Sequence, residues 1–283
     1  MPHVSQYSFW GALRLFSLAV ALISCSLGIL LGWSSADPAP GLAILLLLGG
    51  ILSQIGMNLI NDVEDLGQIS AEGISKDIKH RIHRNKHLGW IAFGLAAMIG
   101  IYLVMLRGWP LLLIFILSAL LALNYNSGPI NFKHRGIAIV QVFILMGIIM
   151  VESSYFVMTG HFSLQVIWLS LPISLLISVL LLSNEIRDCE ADILDQVGTL
   201  TSRIGLGQAQ NLYWVLIVCA ILLVIFYVYL GWASMPVYML PALSMLPFLK
   251  RHLYARDRNR LTPLSGQFFL LFGAAYLLML SGI

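Results

Sequence analysis

The stretch SLQVIWLSLPISLLISVLLLSNEIRDCEAD, residues 163–192, decides the fold. Residues 163–183 carry no charge, and a helix needs about 20 apolar residues to cross the hydrocarbon core of a bilayer. Immediately afterwards come Asn184, Glu185, Arg187, Asp188, Glu190 and Asp192. An apolar run that turns acidic so abruptly reads as a membrane helix whose end meets water and gathers polar groups there.

The rest of the chain agrees. Of its 283 residues, 59% are hydrophobic and 10% charged, against roughly a quarter charged in soluble domains. Hydropathy marks nine candidate spans, at residues 9–33, 41–64, 87–106, 109–125, 136–158, 163–186, 208–231, 236–249 and 265–282. The expected fold is an all-α polytopic membrane protein of about nine transmembrane helices, one domain over residues 1–283. Phe9–Leu31 is longer than a secretory signal core and lacks a small-residue cleavage site, so it reads as a retained first span. The eighth span holds Pro236, Pro241 and Pro247, tolerable where neighbours re-satisfy the freed carbonyls. Cys25, Cys189 and Cys219 have no metal-like spacing and read as small packing residues.

Charge gives the orientation. The connection after span 2 carries Lys76, Lys79, Arg81, Arg84 and Lys86; that after span 4 carries Lys133 and Arg135. Arg187 and Arg203 follow span 6, and Lys250, Arg251, Arg256, Arg258 and Arg260 follow span 8. With nine spans all four fall on one side, which the positive-inside rule makes cytoplasmic, together with the N-terminus. These loops also suit contact with anionic lipid. Nothing in the pattern points to nucleic acid or to a required protein partner.

The acids are as concentrated as the bases. Span 2 ends Asn58-Leu-Ile-Asn61-Asp62-Val-Glu64-Asp65, and span 6 ends in the cluster quoted above. Positions i and i+4 share a helix face, so Asn58 aligns with Asp62, Asn61 with Asp65, and Asn184 with Asp188 and Asp192. A lone Asp at such a boundary is most often a solvated helix end. Two Asn/Asp clusters on one membrane face are different: crowded carboxylates call for a cation. Mg²⁺ suits them, because it takes one or two carboxylates, keeps waters and completes its shell with phosphate oxygens. Lys133 and Arg135 would supply positive charge for a diphosphate on the same face. Arg187 lies one turn from Glu190 and is in reach of acids as well as phosphate.

These motifs resemble the UbiA-type intramembrane prenyltransferases. Asn61-Asp62-x-x-Asp65 and Asn184-x-x-Arg187-Asp188-x-x-x-Asp192 are similar to the two acidic signatures of that family. Tyr125-x-x-Gly-Pro129-x-x-x-Lys133-x-Arg135-Gly136, Tyr155-x-x-x-Thr159-Gly160 and Thr199-Leu200-x-x-Arg203-x-Gly205 resemble the branch that prenylates 1,4-dihydroxy-2-naphthoate in menaquinone biosynthesis. The resemblance implies helices around a central cavity, acidic motifs on the cytoplasmic side of a bacterial inner membrane, and two Mg²⁺ ions holding an isoprenyl diphosphate. The metal ligands would be Asp62, Asp65, Asp188 and Asp192. Asn58, Asn61, Asn184, Arg187, Lys133 and Arg135 would bind the diphosphate.

The implied chemistry is ionisation-assisted alkylation of an aromatic acceptor. Mg²⁺ held at Asp65, Asp188 and Asp192 would neutralise the leaving diphosphate, with Lys133 and Arg135 assisting. Tyr125 and Tyr155 would stabilise the cation through their rings, or one of them would orient the acceptor's hydroxyl; interfacial anchoring is the ordinary alternative for both. The sequence departs from the family in two places. Ile69 stands where the first signature has a further Asp, with Glu72 the nearest acid beyond. Gln196-Val197-Gly198 replaces a Gly-Lys-Arg run. Rival readings are a terpene cyclase or a transferase with a lipid or sugar acceptor on the same architecture, and, more remotely, a cation-coupled transporter.

Overall fold

A computed structural model describes residues 9–33, 39–68, 76–125 and 130–282, with the side chains of residues 61–68, 76 and 77 outside the description. Among the described residues all regular structure is helical. After a short turn at Phe9–Ala12 come α1 (Leu15–Trp33), α2 (Pro40–Gln68), α3 (Lys76–Arg107) and α4 (Trp109–Leu123). Then follow α5 (Ala138–Thr159), α6 (Leu164–Leu194), α7 (Leu206–Tyr229) and α8 (Leu261–Ser281).

Seven of these helices are long and apolar enough to cross a membrane. The exception is α4, whose 15 residues reach about 22 Å at 1.5 Å per residue, against a hydrocarbon core of about 30 Å. The eighth predicted span is not one helix. It is a 3₁₀ turn, Pro236–Met239, followed by the short helices Leu240–Leu243 and Leu246–Leu253. Each piece carries its own proline at its first or second position, which lacks the N–H that would continue the preceding ladder.

Two helices, α3 and α6, run furthest past their sequence-predicted bounds. The basic residues from Lys79 to Lys86 lie on the first turns of α3 rather than in a loop. The acidic cluster lies wholly within α6, which runs on to Leu194, so the i, i+4 stripe is helical throughout.

α6 is the central helix, with 72% of its apolar window buried inside the protein. Ser170, Ser174 and Ser178 make a buried small-residue stripe along it, and Ser178 Oγ also donates to Ile139 O of α5 at 3.2 Å. Opposite Ser174 the backbone of α5 comes so close that a Cβ on Gly147 would lie 2.1 Å from Ser174 Oγ. That approach falls within a π-helical stretch, Phe143–Ile149, which widens the turn inside α5. The core between α6, α7 and α8 buries three tyrosines whose hydroxyls are all matched: Tyr213 with Ser265 Oγ at 2.7 Å, Tyr227 with Trp168 O at 2.6 Å and Tyr276 with Leu169 O at 2.9 Å. Buried aromatics with a polar tip need such partners.

Three of the four basic connections are tied together at one end of the bundle. Arg203 donates to His134 O at 2.7 Å and to Gly198 O at 2.9 Å. Arg258 donates to Ile186 O at 3.1 Å and pairs with Glu190. Gly136 permits the first of these contacts: its φ is +73°, and a Cβ there would sit 2.8 Å from Arg203 Cδ. At the opposite end Arg107 closes α5 by donating to Val157 O at 2.6 Å and Met158 O at 3.0 Å.

Candidate functional site

A cavity of about 2600 Å³ opens at the end where those connections meet. Its mouth is polar, lined by Asn58 of α2, by Tyr125 and Lys133 of the α4–α5 connection, and by Asn184, Asp188 and Asp192 of α6. Deeper in, the walls are apolar, including Leu103, Val104, Phe115, Leu145 and Met150. One chamber therefore has a charged entrance, where acids stand beside Lys133 and Arg187, and an apolar interior.

The α6 stripe faces this chamber as its spacing predicts. Asp192 accepts from Thr199 Oγ1 at 3.1 Å, and the same hydroxyl oxygen accepts from Ser202 N at 3.3 Å to cap the turn Leu200–Ile204. Arg187 takes an acid as partner, but it is Asp188 rather than Glu190. Arg187 Nε donates to Asp188 Oδ1 at 2.7 Å and Nη2 to Oδ2 at 2.5 Å, and both residues line the cavity. Glu190 instead pairs with the buried Arg258 from 68 residues away.

Lys133 reaches the mouth because its loop folds back on the end of α4. Phe132 N donates to Asn124 O and Lys133 N to Tyr125 O, each at 2.9 Å. Tyr125 beside it has its phenol pushed up to about 12, first by burial and then by the negative charge of Glu185, with Arg14 opposing. The hydroxyl stays protonated at any ordinary pH.

Other predicted site residues are placed differently. Both amide protons of Asn58 are engaged, with Leu13 O at 2.7 Å and Ser17 Oγ at 2.6 Å, while its Oδ1 accepts from Gln54 at 3.1 Å. Asn58 thus ties α2 to the start of α1 and has no donor left for a phosphate. Arg135 is exposed and does not line the cavity. Tyr155 is buried and lies 17 residues along α5 from Ala138, about 25 Å from the mouth end. Its hydroxyl is 3.4 Å from His161 Nε2, so the structure places it away from the cavity mouth. Asn61, Asp62 and Asp65 sit on the last turns of α2 with side chains outside the description; Ile69 and Glu72 lie outside the described residues altogether.

Among the polar lining residues that escaped the sequence-based site, Glu185 and Thr199 stand beside the acidic stripe. Glu185 is 5% exposed, lines the cavity, and accepts from Thr201 N at 3.0 Å. Thr199 holds Asp192, and only its place in the Thr199-Leu200 motif singled it out beforehand. Among the described residues no three acidic, His or Cys side chains converge into a ready metal cage. Mg²⁺ does not require one, since it uses one or two carboxylates, waters and substrate phosphates. Asp188 and Asp192, one turn apart on one face of the mouth, fit that donor set.

Among the described residues the chain is an all-helical bundle with seven candidate membrane spans, and its cavity joins a charged mouth to an apolar chamber. The chain belongs to the UbiA prenyltransferase family, whose profile matches residues 21–273. It is 27% identical over 190 residues to the 1,4-dihydroxy-2-naphthoate octaprenyltransferase of Bacillus subtilis, a match covering 65% of this chain and 61% of that protein's length. It is 28% identical over 232 residues to the protein of the same name from Haemophilus influenzae, covering 76% of this chain and 74% of that one. The fold is similar to that of a UbiA homologue from Archaeoglobus fulgidus bound to GPP and Mg²⁺, with a TM-score of 0.64 and 13% identity over 95% of this chain and 99% of the other.

Proposed function

We propose that this protein transfers an isoprenyl group from an isoprenyl diphosphate to an aromatic carbon of 1,4-dihydroxy-2-naphthoate, in a reaction that requires Mg²⁺. The observation that carries the reading is the division of one cavity into a charged mouth and an apolar chamber. A diphosphate and its hydrocarbon tail have the same division. The names of the two bacterial relatives support the acceptor, and the GPP and Mg²⁺ of the archaeal homologue support the donor and the ion.

In this reading Asp188 and Asp192 hold metal from α6, and Asp62 and Asp65 from α2, which suits two ions. Bound Mg²⁺ supplies neutralisation of the leaving diphosphate. Lys133 adds a fixed positive charge at the mouth, and Arg187 exchanges Asp188 for phosphate oxygens when substrate arrives. The allylic C–O bond breaks with its electron pair staying on the diphosphate, an electron-rich ring carbon bonds to the allylic carbon, and that ring carbon then releases its own substituent, a proton or, where it carries the carboxylate, CO₂, to restore the aromatic ring. The apolar walls keep water from the cationic carbon, and the Tyr125 ring offers it a π face. The basic connections at the mouth favour the cytoplasmic side of a bacterial inner membrane.

The test is product analysis by mass spectrometry. Purified protein receives Mg²⁺, a series of isoprenyl diphosphates, and dihydroxynaphthoate, 4-hydroxybenzoate or no acceptor. Prenylated naphthoate is the expected product. A cyclic hydrocarbon formed without acceptor would replace this reading with a cyclase.

A further inference from the structure

Below the charged mouth, one polar side chain in the cavity wall has an unused hydrogen-bonding atom. Gln141, in the first turn of α5, lines the cavity and is 6% exposed. Its Nε2 donates to Leu121 O at 2.6 Å, while its Oε1 has no hydrogen-bond partner among the described residues. Exchanging the two ends of the amide would not help, because it would set oxygen against the Leu121 carbonyl oxygen. Deeper in the cavity lining Ser153 and Ser154 are satisfied by their own helix, donating to Ile149 O and Met150 O. Buried acceptors are nearly always matched, by protein or by water, so Gln141 Oε1 is available to a donor that enters the cavity.

The two ends of the proposed donor substrate cannot provide one. An isoprenyl tail has no O–H or N–H, and an ionised diphosphate presents acceptors. A phenolic hydroxyl does provide one. Leu121 lies in the last turn of α4, just before Tyr125, so Gln141 occupies the depth between the charged mouth and the apolar chamber. In the proposed reaction that is the depth where acceptor ring and allylic carbon meet.

Resting on that reading, we infer that Gln141 binds the aromatic acceptor, its Oε1 accepting a hydrogen bond from a ring hydroxyl and so setting which ring carbon faces the allylic centre. A site that recognises a hydroxyl in this way discriminates against analogues lacking it, because its own polar atom is then left unpaired.

The test is a cycle between protein and substrate. Wild type, Gln141→Leu and the more nearly isosteric Gln141→Met are assayed in lipid nanodiscs with Mg²⁺, an isoprenyl diphosphate, and dihydroxynaphthoate or either of its monomethyl ethers. In wild type, masking one of the two hydroxyls lowers kcat/KM by about tenfold more than in the variants, the size expected of one hydrogen bond. The KM for the diphosphate stays unchanged in all three. Equal masking penalties in wild type and both variants would overturn the assignment while leaving the proposed reaction intact. If wild type releases diphosphate but prenylates no hydroxylated aromatic, the parent reading falls and this one with it.

Discussion

Arg187 and Asp188 are adjacent in the chain and joined side by side at the cavity mouth, with Nε–Oδ1 at 2.7 Å and Nη2–Oδ2 at 2.5 Å. Successive helical residues do not normally face each other, so the guanidinium has to fold back to reach its neighbour. Without substrate, the arginine supplies the positive charge that the Asp188 carboxylate needs. In the proposed function Asp188 turns to metal and Arg187 to phosphate on binding. Arg187→Gln removes the competitor for Asp188 and the cation for diphosphate together. The expected outcome is a lower Mg²⁺ concentration at half-maximal rate and a KM for diphosphate raised about tenfold, the loss of one charge-assisted bond. Mg²⁺ and substrate titrations separate the two effects.

Removing a carboxylate is more severe. Asp188→Ala, Asp192→Ala and Asp65→Ala each lower kcat by about a hundredfold or more, the usual cost of losing electrostatic support for a leaving group. Each variant should still insert in the membrane and melt cooperatively. Turnover within a few-fold of wild type would reject the metal assignment for that residue.

The Tyr125 phenol, held up to about 12 by burial, cannot shape a pH profile between 6 and 9. Tyr125→Phe keeps the ring and should preserve both the profile and most of the rate. Tyr125→Leu loses the π face and should slow the reaction by about five- to tenfold, consistent with a cation–π contribution of about 1 kcal/mol. A rate profile whose limb disappears in the Phe variant would assign the hydroxyl a proton-transfer role instead.

Stability is concentrated where helices approach closely. A Cβ on Gly28 of α1 would lie 2.2 Å from Val151 O and 2.6 Å from Ser154 Cβ, whereas one on Gly94 of α3 would meet nothing within 4 Å. Gly28→Ala must push α1 from α5 and should cost about 1–3 kcal/mol. Gly94→Ala should leave thermal stability unchanged or slightly raised. Melting both variants in the same detergent checks the contrast.

Much of this architecture was legible in the sequence because a bilayer imposes it. A charge-free run such as 163–183 has few alternatives to a membrane helix, and the i, i+4 spacing of Asn184, Asp188 and Asp192 carried straight into the cavity wall. What the sequence could not reveal depends on long-range or longitudinal geometry. Tyr155 stands in a motif as persuasive as that of Tyr125, yet helix rise carries it to the far end of α5. Arg187 and Glu190 have the spacing of a helical pair, and both found other partners, Glu190 through an arginine from a distant connection. Asn58 aligned with an acidic stripe but is occupied in anchoring α1. Pro236, Pro241 and Pro247 divide the eighth span because each stands at the first or second position of a new short segment rather than interrupting a long one.

The most direct test of magnesium-dependent prenyl transfer follows the reaction from chelated enzyme upward. Protein shown to melt cooperatively is stripped with EDTA, Mg²⁺ is added in steps, and released diphosphate and prenylated naphthoate are both quantified. The account predicts no turnover at the start, saturating growth with Mg²⁺, and equal amounts of the two products throughout. Folded protein that consumes no isoprenyl diphosphate at any Mg²⁺ concentration, or consumes it equally in EDTA, would contradict it.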